Sequence, residues 1–493
     1  MDLLSHYMQK TPEGSRSKAA ISFLASLDYL SERSPDVARE IVHELQDQRN
    51  SLKMIASENY SSLAVQLAMG NWLTDKYAEG AVHHRFYAGC EHVDAIEDSA
   101  CHSLKQLFNA EHVYVQPHSG ADANLIAFWA ILTERVQNPK LAALNVSNLN
   151  HLSSEEFEDL RKEMLSQKLL AMSLNSGGHL THGYRYNISS KFFSSFFYDV
   201  DPKTGWIDYD EIWRQAKEVQ PTILLAGYSA YPRAINFATM RQIADDVGAT
   251  LLVDMAHFSG LVAGKVFQDE YDPISYADVV TSTTHKTLRG PRGGIILCKK
   301  RYQEVIDKGC PLVQGGPLPH MIAAKAVAFE EARTSSFCDY ARRVVENAHA
   351  LAESLLELGA VLLTGGTDNH MVILDVTPFG ITGKQAEAAL RKCCITSNRN
   401  AIPFDSNGPW YTSGIRIGTP ALTTRGMGKE EMRQIARWIV EVLKKSTPSK
   451  TSKGEMSRAL CEVDQNVQGS VREQVGDLLD SFPLYPELPY NLV

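Results

Sequence analysis

Short apolar runs that end in polar residues recur along the middle of the chain. HVYVQPHSG, SKFFSSFFYDVD, PTILLAGYSAY, ATLLVDMAHFSG, ADVVTSTTHK and GIILC each read as a strand. Stretches with apolar residues at helical spacing, such as ADANLIAFWAIL and RQIADDVG, stand between them. This alternation predicts an α/β domain over residues 61–325, with a mainly parallel sheet, helices on both faces and the polar strand ends at one rim. Inside it, residues 133–171 are polar and charged without strand signals, so they are expected to be a peripheral insertion opening a surface helix at Ser153-Ser154-Glu155-Glu156. KYAEG is expected to close a helix with Gly80 as its cap. Residues 1–60 read as an N-terminal arm. Its helix starts at Ser34-Pro35 and carries an apolar stripe that needs a larger body or a second subunit to cover it. From about 326 the pattern changes to long helix, then strand HMVILDVTP, helix GKQAEAALRKC, strand SGIRIGTP and helix KEEMRQIARWIVEVLKK. That predicts a smaller α+β domain over 326–493, with a flexible linker near 446–458 (STPSKTSKG at its head), a short helix and a Pro/Tyr-rich tail.

Composition changes this picture little. The 493 residues are 44% hydrophobic and 22% charged, as in ordinary globular proteins. A net charge of −9 argues against nucleic acid as the main partner, while leaving room for a local basic pocket. No run of 18 apolar residues is present, so no membrane span is expected, and the N-terminus lacks the pattern of a signal peptide. The eight cysteines are scattered, without paired spacing, which predicts reduced thiols in a cytoplasmic protein and no metal site.

The candidate chemistry gathers at strand ends. In TSTTHKTLRGPRGG, Lys286 stands where a buried strand stops and a Gly/Arg-rich turn begins. Burial and neighbouring positive charge, with Arg292 a candidate source, favour the neutral amine. That amine is the nucleophile for a Schiff base with a carbonyl cofactor such as pyridoxal 5'-phosphate (PLP); the competing reading is a solvated basic loop. Asp254 ends the run LLV and could pair with a protonated ring nitrogen, or cap the next turn. His257, His285 and His179 in GGHLTHG are candidate cofactor contacts or satisfied structural histidines. Ser119 and Gly120 sit at a strand–helix turn that suits an anion as well as it suits an ordinary cap. Arg416, mid-strand in SGIRIGTP, fits a substrate carboxylate or an internal salt bridge. Glu79 and Tyr87 flank a loop with acid/base potential, and Gly315-Gly316 permit close backbone approach or form a turn.

Taken together, IASENY, KYAEG, HRFYAGCEHVD, VQPHSG, GGHLTHG, SAY, VDMAHFSGLVA, TTHKTLRGPRGGIIL, QGGP, GGTDNH and SGIRIGTPA resemble serine hydroxymethyltransferases, in that family's order from about residue 54 to 425. The resemblance implies PLP fold type I with a seven-stranded-type sheet. It also implies homodimers with shared active sites, dimer or tetramer left open, and reversible conversion of serine and tetrahydrofolate to glycine and 5,10-methylenetetrahydrofolate. It implies that Lys286 carries the PLP aldimine, Asp254 holds the ring nitrogen and His179 stacks on the ring, while Ser229 and His257 lie near its phenolic oxygen. Ser119, Gly120 and His285 would lie at the phosphate, reached by Tyr77 and Gly316 of the second subunit. Arg416 would hold the substrate carboxylate with Ser57 and Tyr87, Glu79 would be the acid/base, and Leu174, Gly178, Leu180 and Asn400 would lie near folate. Side activity on other amino acids, by aldol cleavage or alanine racemisation, goes with the same chemistry. The rivals are a folate-independent PLP racemase or aldolase and a PLP-binding regulatory protein with reduced catalysis. Three departures stand out: Ala121 where a second small hydroxyl is usual, Asn175-Ser176 in place of Ala-His, and the extra residues around 133–171.

Overall fold

The structure, a computed structural model, describes residues 2–451 and 454–489. Seven strands form the central sheet: β1 His112–Tyr114, β2 Lys168–Met172, β3 Ser194–Tyr198, β4 Ile223–Gly227, β5 Thr250–Asp254, β6 Val279–Thr283 and β7 Gly294–Cys298. Their order is β1-β7-β6-β5-β4-β2-β3. β7 runs antiparallel to β1 and β6, and the remaining neighbours pair in parallel. Every residue of β4, β5, β6 and β7 is buried, as expected of strands covered by helices on both faces. The helix Gly120–Leu132 has buried residues on nearly every side and fills one of those faces.

Register sets the rim of the sheet. Gly227 lies beside Asp254, and Asp254 beside Thr281. Gly227 has φ +128, and a Cβ there would lie 2.1 Å from the Asp254 carbonyl oxygen. Only glycine allows the two strand ends to meet this closely.

The helix Ser335–Glu357 bridges two cores. Phe337, Tyr340, Ala341 and Val344 pack in the large-domain core, and Leu351, Ala352 and Leu355 in the second. The smaller domain carries an antiparallel sheet of β8 Val361–Leu362, β9 Met371–Asp375, β10 Asn398–Asn400 and β11 Gly414–Gly418, in the order β8-β9-β11-β10. This two-domain arrangement is the fold type I plan implied by the resemblance. No helix among the described residues is long and apolar enough to cross a membrane.

Four sequence expectations need correction. Residues 133–171 are not a uniform insertion: Thr133–Gln137 continues the buried helix as a π-turn, and β2 at Lys168–Met172 lies between β4 and β3. KLLAM is a short apolar run hidden behind a long polar stretch, whose helix Ser154–Leu165 does have a Ser153/Glu156 capping box. Of the expected linker near 446–458, residues 452 and 453 lie outside the described residues, and the rest belongs to paired strands, β12 Ser446–Lys450 and β13 Met456–Val463, with the residues next to them. The pair is tied down because the Gln385 amide donates to the Ser457 and Leu460 carbonyls and Lys392 to that of Cys461. Gly80 caps no helix; with φ +103 it starts a two-residue strand paired to His84–Arg85. The arm holds three helices, Leu3–Lys10, Lys18–Arg33 and Pro35–Arg49, but its last residues belong elsewhere: Leu52 and Met54 pack in the small-domain core.

Candidate active site

The ends of β4, β5 and β6 open into a cavity of about 460 Å³. Its wall joins Ser57, Ser119, Gly120, His179, Ser229, Asp254, His257, His285, Lys286, Arg292 and Arg416, which sequence reasoning had picked from separate stretches.

Lys286 follows β6 on a turn fixed from several sides. The Asn59 amide donates to its carbonyl at 2.9 Å, and the Thr287 hydroxyl donates to the His257 carbonyl at 2.8 Å. Burial lowers the Lys286 amine to about 8, against the raising effect of Asp254 and with help from Arg416 and Arg292. A substantial neutral fraction therefore exists near pH 8.

Asp254 is the anionic pole. Burial would raise its carboxyl, but His182 donates to Oδ2 at 3.1 Å and Asn124 at 2.9 Å, and the net effect holds it far below the usual carboxylate range. The Ala256 N–H donates to its other oxygen at 3.0 Å. His179 lies edge-on to His182, ring centroids 5.8 Å apart. Burial pushes His179 down to about 4, so the ring is neutral at ordinary pH. Its Nδ1 accepts from the Thr181 N–H and faces the Thr181 hydroxyl at 2.7 Å, which leaves the ring proton on Nε2. His179, His182 and Asp254 are the one group among the described residues whose donor atoms could surround a metal; here His182 is committed to the carboxylate by a hydrogen bond.

His257 is buried, faces His370 across 3.3 Å and is held well below its ordinary range, first by burial. His285 is lowered to about 3 by burial and by Arg292 and Lys286, and its buried Nδ1 has no hydrogen-bond partner among the described residues. Ser119 caps the helix Gly120–Leu132: its hydroxyl accepts from the Asp122 N–H at 3.1 Å and donates to the Asp122 carboxylate at 2.8 Å. The cap is thus formed, and the same helix terminus lines the cavity. Gly120 is required by packing, since a Cβ there would lie 2.6 Å from Thr283 Cγ2.

Arg416, in the middle of β11, donates Nε–H to Asn398 at 3.3 Å and an Nη1–H to the Ser229 carbonyl. Burial lowers it to about 10 with no opposing charge. The internal salt bridge weighed from the sequence is therefore not formed among the described residues. Asp254 and Glu58 line the same cavity, but neither forms an ion pair with this guanidinium, whose positive charge is left to face the cavity.

The remaining candidates do not line this cavity. Tyr77, Glu79, Tyr87 and Gly316 form a second cluster: Tyr87 donates its hydroxyl to Glu79 at 3.2 Å, and the Tyr77 and Tyr87 rings lie 5.2 Å apart. A Cβ on Gly316 would lie 3.5 Å from Tyr77 and 3.7 Å from Glu79. Gly315 has open space around it. Tyr77 at 61% and Tyr87 at 45% of full exposure face outward, as does Phe86, whose N–H donates to the Glu79 carbonyl, while Glu79 and Gly316 are half-buried. Leu174 and Leu180 are exposed on the loop that carries His179, and Gly178 lets that loop close against the Met172 carbonyl, 2.2 Å from where a Cβ would be. Asn400 donates its amide to the Ala401 carbonyl at 2.6 Å; it is Asn398, two residues earlier, that meets Arg416.

Sequence reading missed His182, Asn124, Asn59 and Asn398. Asn124 stands four residues after Gly120, one helical turn along the same face, and that spacing was a usable signal. His182 stands three residues after His179 in GGHLTHG. The two other asparagines act through tertiary contact and left no local signal.

A family model described as serine hydroxymethyltransferase matches residues 30–167 and 162–439. The serine hydroxymethyltransferase of Treponema pallidum (strain Nichols) is 58% identical over 470 residues, covering 95% of this chain and 82% of the relative. That of Salinispora tropica is 54% identical over 467 residues, covering 95% and 98%. That of Chlamydia trachomatis serovar D is 54% identical over 488 residues, covering 99% and 98%.

Proposed function

The chain belongs to the serine hydroxymethyltransferase family, and from that premise we propose that it converts serine and tetrahydrofolate reversibly to glycine and 5,10-methylenetetrahydrofolate, with PLP as cofactor. The observation that carries this reading is one cavity holding a depressed lysine amine, a carboxylate kept ionised and an arginine without an acidic partner. The donor set fits PLP: an amine for its aldehyde, an anion for its ring nitrogen, and a helix terminus with the unpartnered His285 nitrogen for its phosphate. Bound there, PLP supplies an electrophilic carbon and a ring that takes up the electron pair released when serine loses its hydroxymethyl group.

The chain's own residues do the rest. Asp254, locked by His182 and Asn124, holds a proton on the ring nitrogen. Neutral His179 offers a flat face for stacking without adding charge. Ser229 and His257, which line the same cavity, are assigned to the phenolic oxygen. Arg416, its remaining donors free for a two-pronged contact, binds the amino-acid carboxylate with Ser57 beside it and so fixes which bond at Cα faces cleavage. Glu79 takes and returns the proton of the serine hydroxyl, with Tyr87 as its hydrogen-bonded neighbour. Since these two stand outside the cavity, we place them, with Tyr77, Gly315 and Gly316, in the cavity of a partner subunit of a homodimer; the exposed rings of Tyr77, Tyr87 and Phe86 support a contact surface. Leu174, Gly178, Leu180 and Asn400 are assigned to the folate side. All eight cysteines are free thiols, in keeping with a cytoplasmic setting.

The test is glycine formation from serine by the purified full chain, with and without tetrahydrofolate. Formation that needs tetrahydrofolate is expected. Equal rates without it would replace this reading with a folate-independent aldolase, and alanine racemisation as the sole activity would replace it with a racemase.

A further inference from the structure

Lys325 is 2% exposed and lies outside the cavity described above. It projects from the helix Pro319–Ala332 and spends all three ammonium donors on backbone carbonyls: Val115 at 2.6 Å, Gly294 at 2.9 Å and Pro117 at 3.0 Å. A buried charge is a costly way to fill a core; well-packed apolar side chains often serve stability as well or better. What the ammonium does hold is specific. Val115 and Pro117 lead directly into Ser119 and Gly120, and Gly294 opens β7 alongside them. The Pro117 carbonyl also accepts from the Gly294 N–H at 3.0 Å. A Cβ on Gly294 would lie 2.1 Å from the Ser119 carbonyl oxygen, and one on Gly293 would lie 2.5 Å from Lys325 Cε. Two adjacent glycines thus let the strand close on both the turn and the lysine.

Peptide planarity turns this into a positioning device. A carbonyl drawn toward the ammonium sends the N–H of the same peptide unit the opposite way. With the Val115 and Pro117 carbonyls both drawn inward, the N–H groups of Gln116 and His118 point away from Lys325, and the path of the chain into the helix terminus is set. The neighbouring side chains are otherwise engaged: Glu97 accepts from Arg85 at 2.7 Å and from Gln116 at 2.7 Å.

Resting on the reading that this helix terminus takes the PLP phosphate, we infer that Lys325 is a positioning residue that fixes the Pro117–Gly120 turn from behind and thereby sets the affinity for the phosphate end of the cofactor. It touches neither cofactor nor substrate.

The test compares two ligands that differ only in the phosphate. The full-length apoprotein is titrated with PLP and with pyridoxal, following absorbance, for the wild type, Lys325→Met and Gly293→Ala; the last keeps the lysine but pushes its Cε aside. Both variants are expected to lose PLP affinity about 10–100-fold, the scale found when outer supports of a bound group are removed, while pyridoxal affinity changes by no more than about twofold. Gly293→Ala keeps the test decisive if Lys325→Met does not fold. A lower Tm with PLP and pyridoxal affinities falling equally, or not at all, would make Lys325 a packing group only and overturn the inference. A wild type that binds PLP no better than pyridoxal would instead remove the phosphate assignment beneath it.

Discussion

At the scale of single residues, the site works by setting protonation states at rest. Lys286 is lowered to about 8 mainly by burial, so its folded value lies below the ordinary lysine value and the amine becomes neutral as pH rises through about 8. The rate at which the apoprotein captures PLP is therefore expected to climb between about pH 7 and 9 and then level off. Stopped-flow absorbance measures this, and a climb that continues past pH 10 would mean that the amine is not lowered. The folded value of Asp254 also lies below its ordinary one, but for an acid that favours the charged form, so the anion persists through this whole range. Ala121 lines the cavity beside Ser119 and Gly120, at the end proposed for the phosphate, without a hydroxyl. Ala121→Ser is expected to tighten PLP binding about threefold to tenfold, the worth of one hydrogen bond to a charged group partly offset by desolvation. Equilibrium titration reads this, and unchanged or weaker binding would show that the hydroxyl has no phosphate to meet. Most of these residues were legible because a charged or hydroxyl residue at the end of an apolar run is a strong contrast. Lys286, Asp254 and Ser119 all stand there, whereas Asn59 and Asn398 act through contacts made only on folding.

At the scale of elements, the sheet carries the site only if its strand ends approach closely. Gly227→Ala places a side chain at φ +128 and 2.1 Å from the Asp254 carbonyl. It is expected to cost about 2–4 kcal/mol through backbone strain and overpacking. That appears as a lower Tm of the apoprotein together with weaker PLP binding, because Asp254 shifts; an unchanged Tm would show that the β4–β5 contact is looser than described. The central strands were readable from their continuous apolar runs. β2 was not, because KLLAM is brief and follows a long polar helix. The β12–β13 hairpin was not either: its Ser, Thr, Pro and Lys composition imitates a linker, and the Gln385 and Lys392 side chains that tie it down come from another stretch of chain.

At the scale of the whole molecule, the cavity and the Glu79–Tyr87 cluster stand apart in one chain, and sequence order gave no means of separating them. A shared site makes a distinctive prediction. Lys286→Ala and Glu79→Gln proteins are each expected to be nearly inactive. Unfolded together and refolded, or co-expressed, they form mixed dimers with one intact site, restoring about a quarter of wild-type activity if subunits pair at random in a twofold dimer. No restored activity in demonstrated mixed dimers would place Glu79 in its own subunit's site. One lysine carries the proposed chemistry, and its role is open to direct measurement. The PLP-loaded protein is reduced with borohydride, digested and mapped by mass spectrometry. The account predicts a pyridoxyl group on Lys286 at close to one per chain. Its attachment to another lysine, or to none, would contradict it.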